Sequence, residues 1–201
     1  MRLAVFASGS GSNFEAIVQA TRDGRLPGAE VALLISDKPE AYAIERAVRL
    51  DVPVFSFRPK EYPDKAAFET EIVTRLQAAG IEFVVLAGYM RLAGDVLLGA
   101  YEGRMINLHP SLLPAFTGKD AIGQALRYGV KVTGVTVHYV DAGLDTGPII
   151  AQEPIAVEEE DTPESLAARI HAVEHRLLID VLGELSRGRL TLDGRFVKRL
   201  G

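Results

Sequence analysis

The sequence predicts an α/β fold: a single three-layer domain over residues 1–201, with a mainly parallel sheet, helices on both faces and an antiparallel C-terminal strand pair. Three observations carry this expectation. A chain of 201 residues with 48% hydrophobic and 24% charged side chains has the size and composition of one ordinary globular unit. In its first half, short and nearly all-apolar runs alternate with amphipathic stretches, the pattern of parallel strands covered on both faces by helices. In its second half, an alternating run meets another strand through a glycine-bearing loop instead of a helix.

The elements follow in order. Residues 2–7 form the first apolar run, which ends in Ser8-Gly9-Ser10-Gly11-Ser12-Asn13. Residues 14–21 then set Phe14, Ile17, Val18 and Thr21 on one helical face. A second strand over 31–35 closes in Ser36-Asp37-Lys38-Pro39, and a helix follows over 42–50. The third strand spans 53–57. The third helix spans 65–79, with Phe68, Ile72, Val73 and Leu76 in register and Gly80 at the C′ position. Residues 83–87 contain no polar side chain and form the fourth strand.

Beyond it come a short strand over 105–108 and a helix over 121–128. In 132–140, Val135, Val137 and Tyr139 alternate with Thr136 and His138, which marks a strand paired with 148–153. Thr162-Pro163-Glu164 supplies an N-cap, an N1 proline and a first-turn acid for a long helix over 163–185. The run Glu158-Glu159-Glu160-Asp161 reads as a charged loop ahead of that helix. The basic tail, with Arg187, Arg189, Arg195, Lys198 and Arg199, reads as a solvated edge.

Composition excludes several function classes. With 22 Lys and Arg against 27 Asp and Glu, the net charge of −5 lacks the field of a general nucleic-acid or membrane-surface binder. With 0 cysteines there are no disulfides, cysteine nucleophiles or thiolate metal sites. Among His109, His138, His171 and His175, only the last two are spaced like metal ligands on a helix, and the surrounding metalloprotease pattern is missing, so no metal is expected. No run approaches the roughly 20 apolar residues of a membrane span, and no secretory signal is evident, so a cytoplasmic location is expected.

Two segments carry chemistry. The first is Ser8–Asn13, a glycine-serine loop between a strand and a helix, which presents backbone N–H groups to an anion at the helix N-terminus. Phe14 stands where a dinucleotide fingerprint needs glycine, and no Gly-Lys-Ser/Thr follows, so a single phosphate fits better than a dinucleotide or a triphosphate. A side chain at Gly11 would block that approach, so its replacement is expected to harm the phosphate-bearing substrate selectively.

The second segment is Asn107-Leu108-His109-Pro110, which sets two polar side chains two apart at the end of a strand, where both face one crevice. A later loop carries Asp141 and Asp145. Asp can orient a histidine and relay protons, and Asn can donate to a developing oxyanion. Asn, His and Asp without a serine or cysteine nucleophile point to acyl transfer directly onto a substrate amine. The residues alone name neither the acyl group nor the acceptor.

The segments SGSGSN (8–13), LAGYMRL (86–92), NLHPSLLP (107–114) and VDAGLDTGPII (140–150) closely resemble those of the phosphoribosylglycinamide formyltransferases, folate-dependent enzymes of purine synthesis. The resemblance extends over almost the whole chain and implies the formyltransferase fold. It implies that Asn107, His109 and Asp145 are catalytic, and that Gly11, Ser12 and Asn13 hold the substrate phosphate. It further places His171 and Glu174 at the ribosylglycinamide. The donor, 10-formyltetrahydrofolate, would lie along Met90, Arg91, Leu92, Ala93 and Asn107 and against Asp141 and Asp145, with Lys65 at its glutamyl end. One departure is Thr117, where the family often has proline.

A formyltetrahydrofolate hydrolase is the nearest alternative, using the same trio with water as acceptor, although that family carries a further N-terminal regulatory domain. A relative acting on initiator tRNA needs a further C-terminal domain and a basic surface. An NAD-binding oxidoreductase would use Asp37 as its ribose acid. The small-molecule reading expects no nucleic-acid or membrane partner and a monomer or homodimer.

Overall fold

The computed structural model describes residues 1–200. Strands β1 (Arg2–Phe6), β2 (Glu30–Ser36), β3 (Val54–Ser56), β4 (Phe83–Leu86), β5 (Met105–His109), β6 (Val132–Tyr139) and β7 (Ile149–Ala156) form one sheet in the order β3-β2-β1-β4-β5-β6-β7. The first five run parallel; β6 is antiparallel to β5, and β7 to β6. The interleaved helices are α1 (Ser12–Arg22), α2 (Tyr42–Arg49), α3 (Lys65–Ala78), α4 (Asp95–Ala100), α5 (Ala121–Tyr128) and α6 (Pro163–Ser186). The three-layer architecture with its antiparallel end is as the sequence predicts.

Alternation along β1 builds two cores, because successive side chains of a strand point to opposite faces. Leu3 and Val5 join Phe14, Ile17, Ile106, Leu178 and Leu182 beneath α1 and α6. Ala4 and Phe6 join Phe68, Ile72, Leu76, Val84 and Leu97 beneath α3 and α4. The long helix α6 starts as its sequence cue implies: Thr162 and Ser165 exchange side-chain and backbone hydrogen bonds in a capping box, with Pro163 in the first turn.

Three features depart from the sequence reading. Helix α1 begins at Ser12, two residues before the apolar period starts, with Gly11 as its N-cap. Helix α4 has only 6 residues, too few to show a period. A buried carboxylate from α3 holds its start: Glu69 accepts from Gly94 N at 2.6 Å and Leu97 N at 3.2 Å. The basic tail is a hairpin of β8 (Leu190–Asp193) and β9 (Phe196–Arg199), turned at Gly194-Arg195, with Leu190 and Val197 packed on the first core.

Strand order reverses between β1 and β4, since β2 and β3 lie on one side of β1 and β4 and β5 on the other. Ligand crevices of open α/β sheets form at the carboxyl ends of strands beside such a reversal. The loops after β1 (7–11) and β4 (87–94) flank it.

Candidate active site

The pairing of β5 with β6 sets Asn107 opposite His138 and His109 opposite Thr136. Asn107 and His109 share a face, as their spacing predicts. The register of β6 against β7 shifts between Val137 and His138. Asp145 is delivered by the β6–β7 loop, which doubles back tightly: a Cβ on Gly147 would sit 1.8 Å from the Tyr139 carbonyl oxygen, so only glycine fits. Asp145 itself has φ 54, a left-handed conformation that Asp and Asn tolerate better than most residues.

The three predicted catalytic side chains meet. Asn107 Nδ2 donates to Asp145 Oδ1 at 3.4 Å, and His109 Nδ1 lies 3.5 Å from Asp145 Oδ2. Gly118 N donates to the same Oδ2 at 2.7 Å. A fourth group, His138, completes the cluster: Asn107 Nδ2 lies 3.2 Å from its Nε2, which is 3.8 Å from Asp145 Oδ1.

The tautomers follow from the partners. His138 Nδ1 sits 2.8 Å from the Tyr139 carbonyl, which can only accept, so Nδ1 carries the hydrogen and Nε2 accepts from Asn107. Burial pushes the His138 imidazole below the ordinary histidine range, so this ring is neutral at pH 7. His109 Nε2 faces the Phe116 carbonyl at 2.8 Å and is therefore a donor. Its Nδ1 faces Asp145 Oδ2 at 3.5 Å, the direction along which a proton can pass between the two groups. Both hydrogens of Asn107 Nδ2 are engaged, on His138 and on Asp145. Asn107 Nδ2 and His109 Nε2 thus already have partners, and each must give one up to donate to a substrate oxygen.

The residues expected at the ribosylglycinamide also come together. The N–H groups of Ser12, Asn13 and Phe14 open α1 and have no intrahelical acceptor by helix geometry. Asn13 Nδ2 donates to Glu174 Oε2 at 3.1 Å, and His171 Nδ1 lies 2.9 Å from the same oxygen. Asn13 Oδ1 is buried without a hydrogen-bond partner among the described residues. Gly11 has φ 73, and a Cβ there would lie 2.6 Å from Ala43 Cβ and 2.7 Å from Ala43 Cα on α2. Glycine is required here by packing in any case. The expectation that replacing it harms only phosphate binding is corrected.

Of the residues expected at the formyl donor, Met90 and Leu92 are 53% and 49% exposed. Ala93 is buried in the second core, which leaves only its backbone to a ligand. Lys65 is exposed, and its Cε would lie 2.9 Å from a Cβ on Gly94, so it does border this segment. Asp141 Oδ1 accepts from Gly143 N at 3.1 Å and Thr146 Oγ1 at 2.7 Å and so shapes the Asp145 loop. Thr117 is exposed; the contacts to His109 and Asp145 come from the backbone of its neighbours Phe116 and Gly118. Asp37, the ribose acid of the oxidoreductase alternative, is buried with both oxygens engaged by Ser8 and Arg91.

His138 was not legible as a site residue. In the sequence it occupies an ordinary polar position of an alternating strand, and only the β5–β6 register sets it against Asn107.

The profile of the formyl transferase family matches residues 1–182, and the chain belongs to that family. It is 56% identical over 184 residues to the phosphoribosylglycinamide formyltransferase of Bacillus subtilis (strain 168), covering 92% of this chain and 94% of the relative. Among solved structures, glycinamide ribonucleotide transformylase 1 from Symbiobacterium toebii superposes with a TM-score of 0.97 at 48% identity, covering 100% of this chain and 94% of that one. The enzyme of the same name from Geobacillus kaustophilus gives a TM-score of 0.89 at 61% identity, covering 92% and 97%.

Proposed function

We propose that this enzyme transfers the formyl group of 10-formyltetrahydrofolate to the amine of 5-phosphoribosylglycinamide, in the cytoplasmic synthesis of purines. The observation that supports this best is the closed Asn107–His109–Asp145 cluster beside a reversal crevice, in a chain 56% identical to a protein of that name. The crevice suits both substrates. An anion-binding helix start lies on one side, and exposed apolar side chains with Lys65 border the other.

In this reading the loop of Gly11, Ser12 and Asn13 holds the phosphate, and Glu174 receives the ribose hydroxyls. The neutral amine attacks the formyl carbon, a C–N bond forms, and the carbonyl oxygen gains negative charge. Asn107 Nδ2 and His109 Nε2 turn from their resting partners to that oxygen. Asp145, with His109 beside it, takes the proton released by the amine. It returns a proton to the folate nitrogen as the old C–N bond breaks. No acyl-enzyme is formed.

The direct test supplies donor labelled with ¹³C in the formyl carbon together with 5-phosphoribosylglycinamide. Label in the formylated ribonucleotide supports the reading; label released only as formate contradicts it.

Two further outcomes are expected. The Glu174 hydrogen bond holds the His171 imidazole above the ordinary histidine range, while burial pushes neighbouring His175 down. Below the raised pKa, His171 adds positive charge beside the phosphate loop, together with Arg46 and against Glu174; the charge is lost as pH rises through it. The acceptor KM of His171→Gln relative to wild type should therefore be largest below about pH 6.5 and fall toward unity at higher pH. A ratio independent of pH would contradict that role. The second outcome is that activity persists in EDTA, because no group of three or more His, Asp or Glu among the described residues is clustered to hold a metal ion. Loss in EDTA with recovery on Zn²⁺ addition would overturn it.

A further inference from the structure

We infer that Asp37 is a positioning residue for the formyl donor, which ties the loop after β1 to the segment after β4 and fixes how Arg91 is presented. The inference rests on the proposed function. Asp37 follows β2 directly, and its side chain is 3% exposed. Oδ1 accepts from Ser8 Oγ at 2.5 Å, and Oδ2 accepts from Arg91 Nε at 2.7 Å. Ser8 Oγ in turn accepts from Met90 N at 2.9 Å, and Ser8 N donates to the Gly88 carbonyl at 3.0 Å. One buried carboxylate thus links the two loops that flank the crevice.

A buried charge is tolerated only when its partners are in place, so Asp37 enforces the arrangement of those partners. It takes the Nε side of the Arg91 guanidinium. The Nη1 and Nη2 edge has no hydrogen-bond partner among the described residues, and the side chain is 41% exposed. That free edge is the one that grips a carboxylate in a fork. Asp37 makes no contact with the Asn107–His109–Asp145 cluster, so its influence should fall on donor binding and not on the chemical step.

Asp37→Asn keeps the shape, leaves one oxygen for either Ser8 or Arg91, and turns an N–H toward the other donor. It should raise the donor KM about 10-fold, the scale of one charge-assisted hydrogen bond. The turnover number and the acceptor KM should stay within about twofold, the range in which no hydrogen bond is lost. In an Arg91→Ala background, most of the Asp37→Asn effect should vanish. Equal rises in both KM values, or the same fold-change in both backgrounds, would overturn the inference and leave Asp37 a purely structural group. If Asp37→Asn does not fold, Ser8→Ala removes the other partner of the carboxylate and its link to Met90 N. A rise in the donor KM alone supports the inference, and a matching rise in the acceptor KM overturns it. Wild-type protein that forms no tetrahydrofolate would overturn the functional reading and the inference together. Active wild type with an unaltered donor KM in Asp37→Asn overturns the inference alone.

Discussion

Asp145→Asn should fold, bind both substrates and turn over about 10²–10⁴-fold more slowly, the usual worth of a positioned acid–base group. The geometry makes this variant informative. Asn occupies the left-handed region as readily as Asp, so the φ of 54 at this position is retained. The amide oxygen can still accept from Gly118 N, which keeps the loop over β5 in place. What disappears is the carboxylate oxygen 3.5 Å from His109 Nδ1 and its capacity to take the proton that the amine releases. Equilibrium binding of each substrate, measured beside turnover, separates chemistry from affinity. Near-normal turnover in the folded variant would remove Asp145 from the mechanism.

Gly11→Val should destabilise the fold by about 2–6 kcal/mol, since a strained φ and an overpacked contact each cost roughly 1–3 kcal/mol. The substituent would meet the Cβ and the backbone Cα of Ala43, and backbone cannot move aside cheaply. Against the roughly 5–15 kcal/mol of a typical domain, that is a large fraction. Denaturant titration should show the loss directly, and surviving folded protein should be impaired toward both substrates. Normal stability with a rise in the acceptor KM alone would show that the α1–α2 contact is softer than its distances imply. Phosphate contact is therefore better probed at Ser12 and Asn13, whose side chains are only partly buried at the start of α1.

The sequence was most legible where local pattern and tertiary role agree. The runs of β1, β2 and β4 are buried on both faces, so their continuous apolar character alone located them. Asn107 and His109 were legible because strand alternation and end-of-strand placement both put them at the crevice. Helix α4 was not, because its start is held by Glu69 from another helix. The hairpin β8–β9 was hidden by the basic residues in and just before it, which read as a solvated edge although Asp193-Gly194 is a turn signal. His138 and Asp37 depend on partners distant in sequence, Asn107 at 31 residues and Arg91 at 54, and no local period reports such pairs.

The cluster is expected to deliver the formyl group to an amine and not to water. Spectroscopic measurement of tetrahydrofolate formation, with and without 5-phosphoribosylglycinamide, tests it most directly. Tetrahydrofolate should form only when the acceptor is present, with one formylated ribonucleotide for each tetrahydrofolate. Steady formation without the acceptor, with formate as the second product, would contradict it.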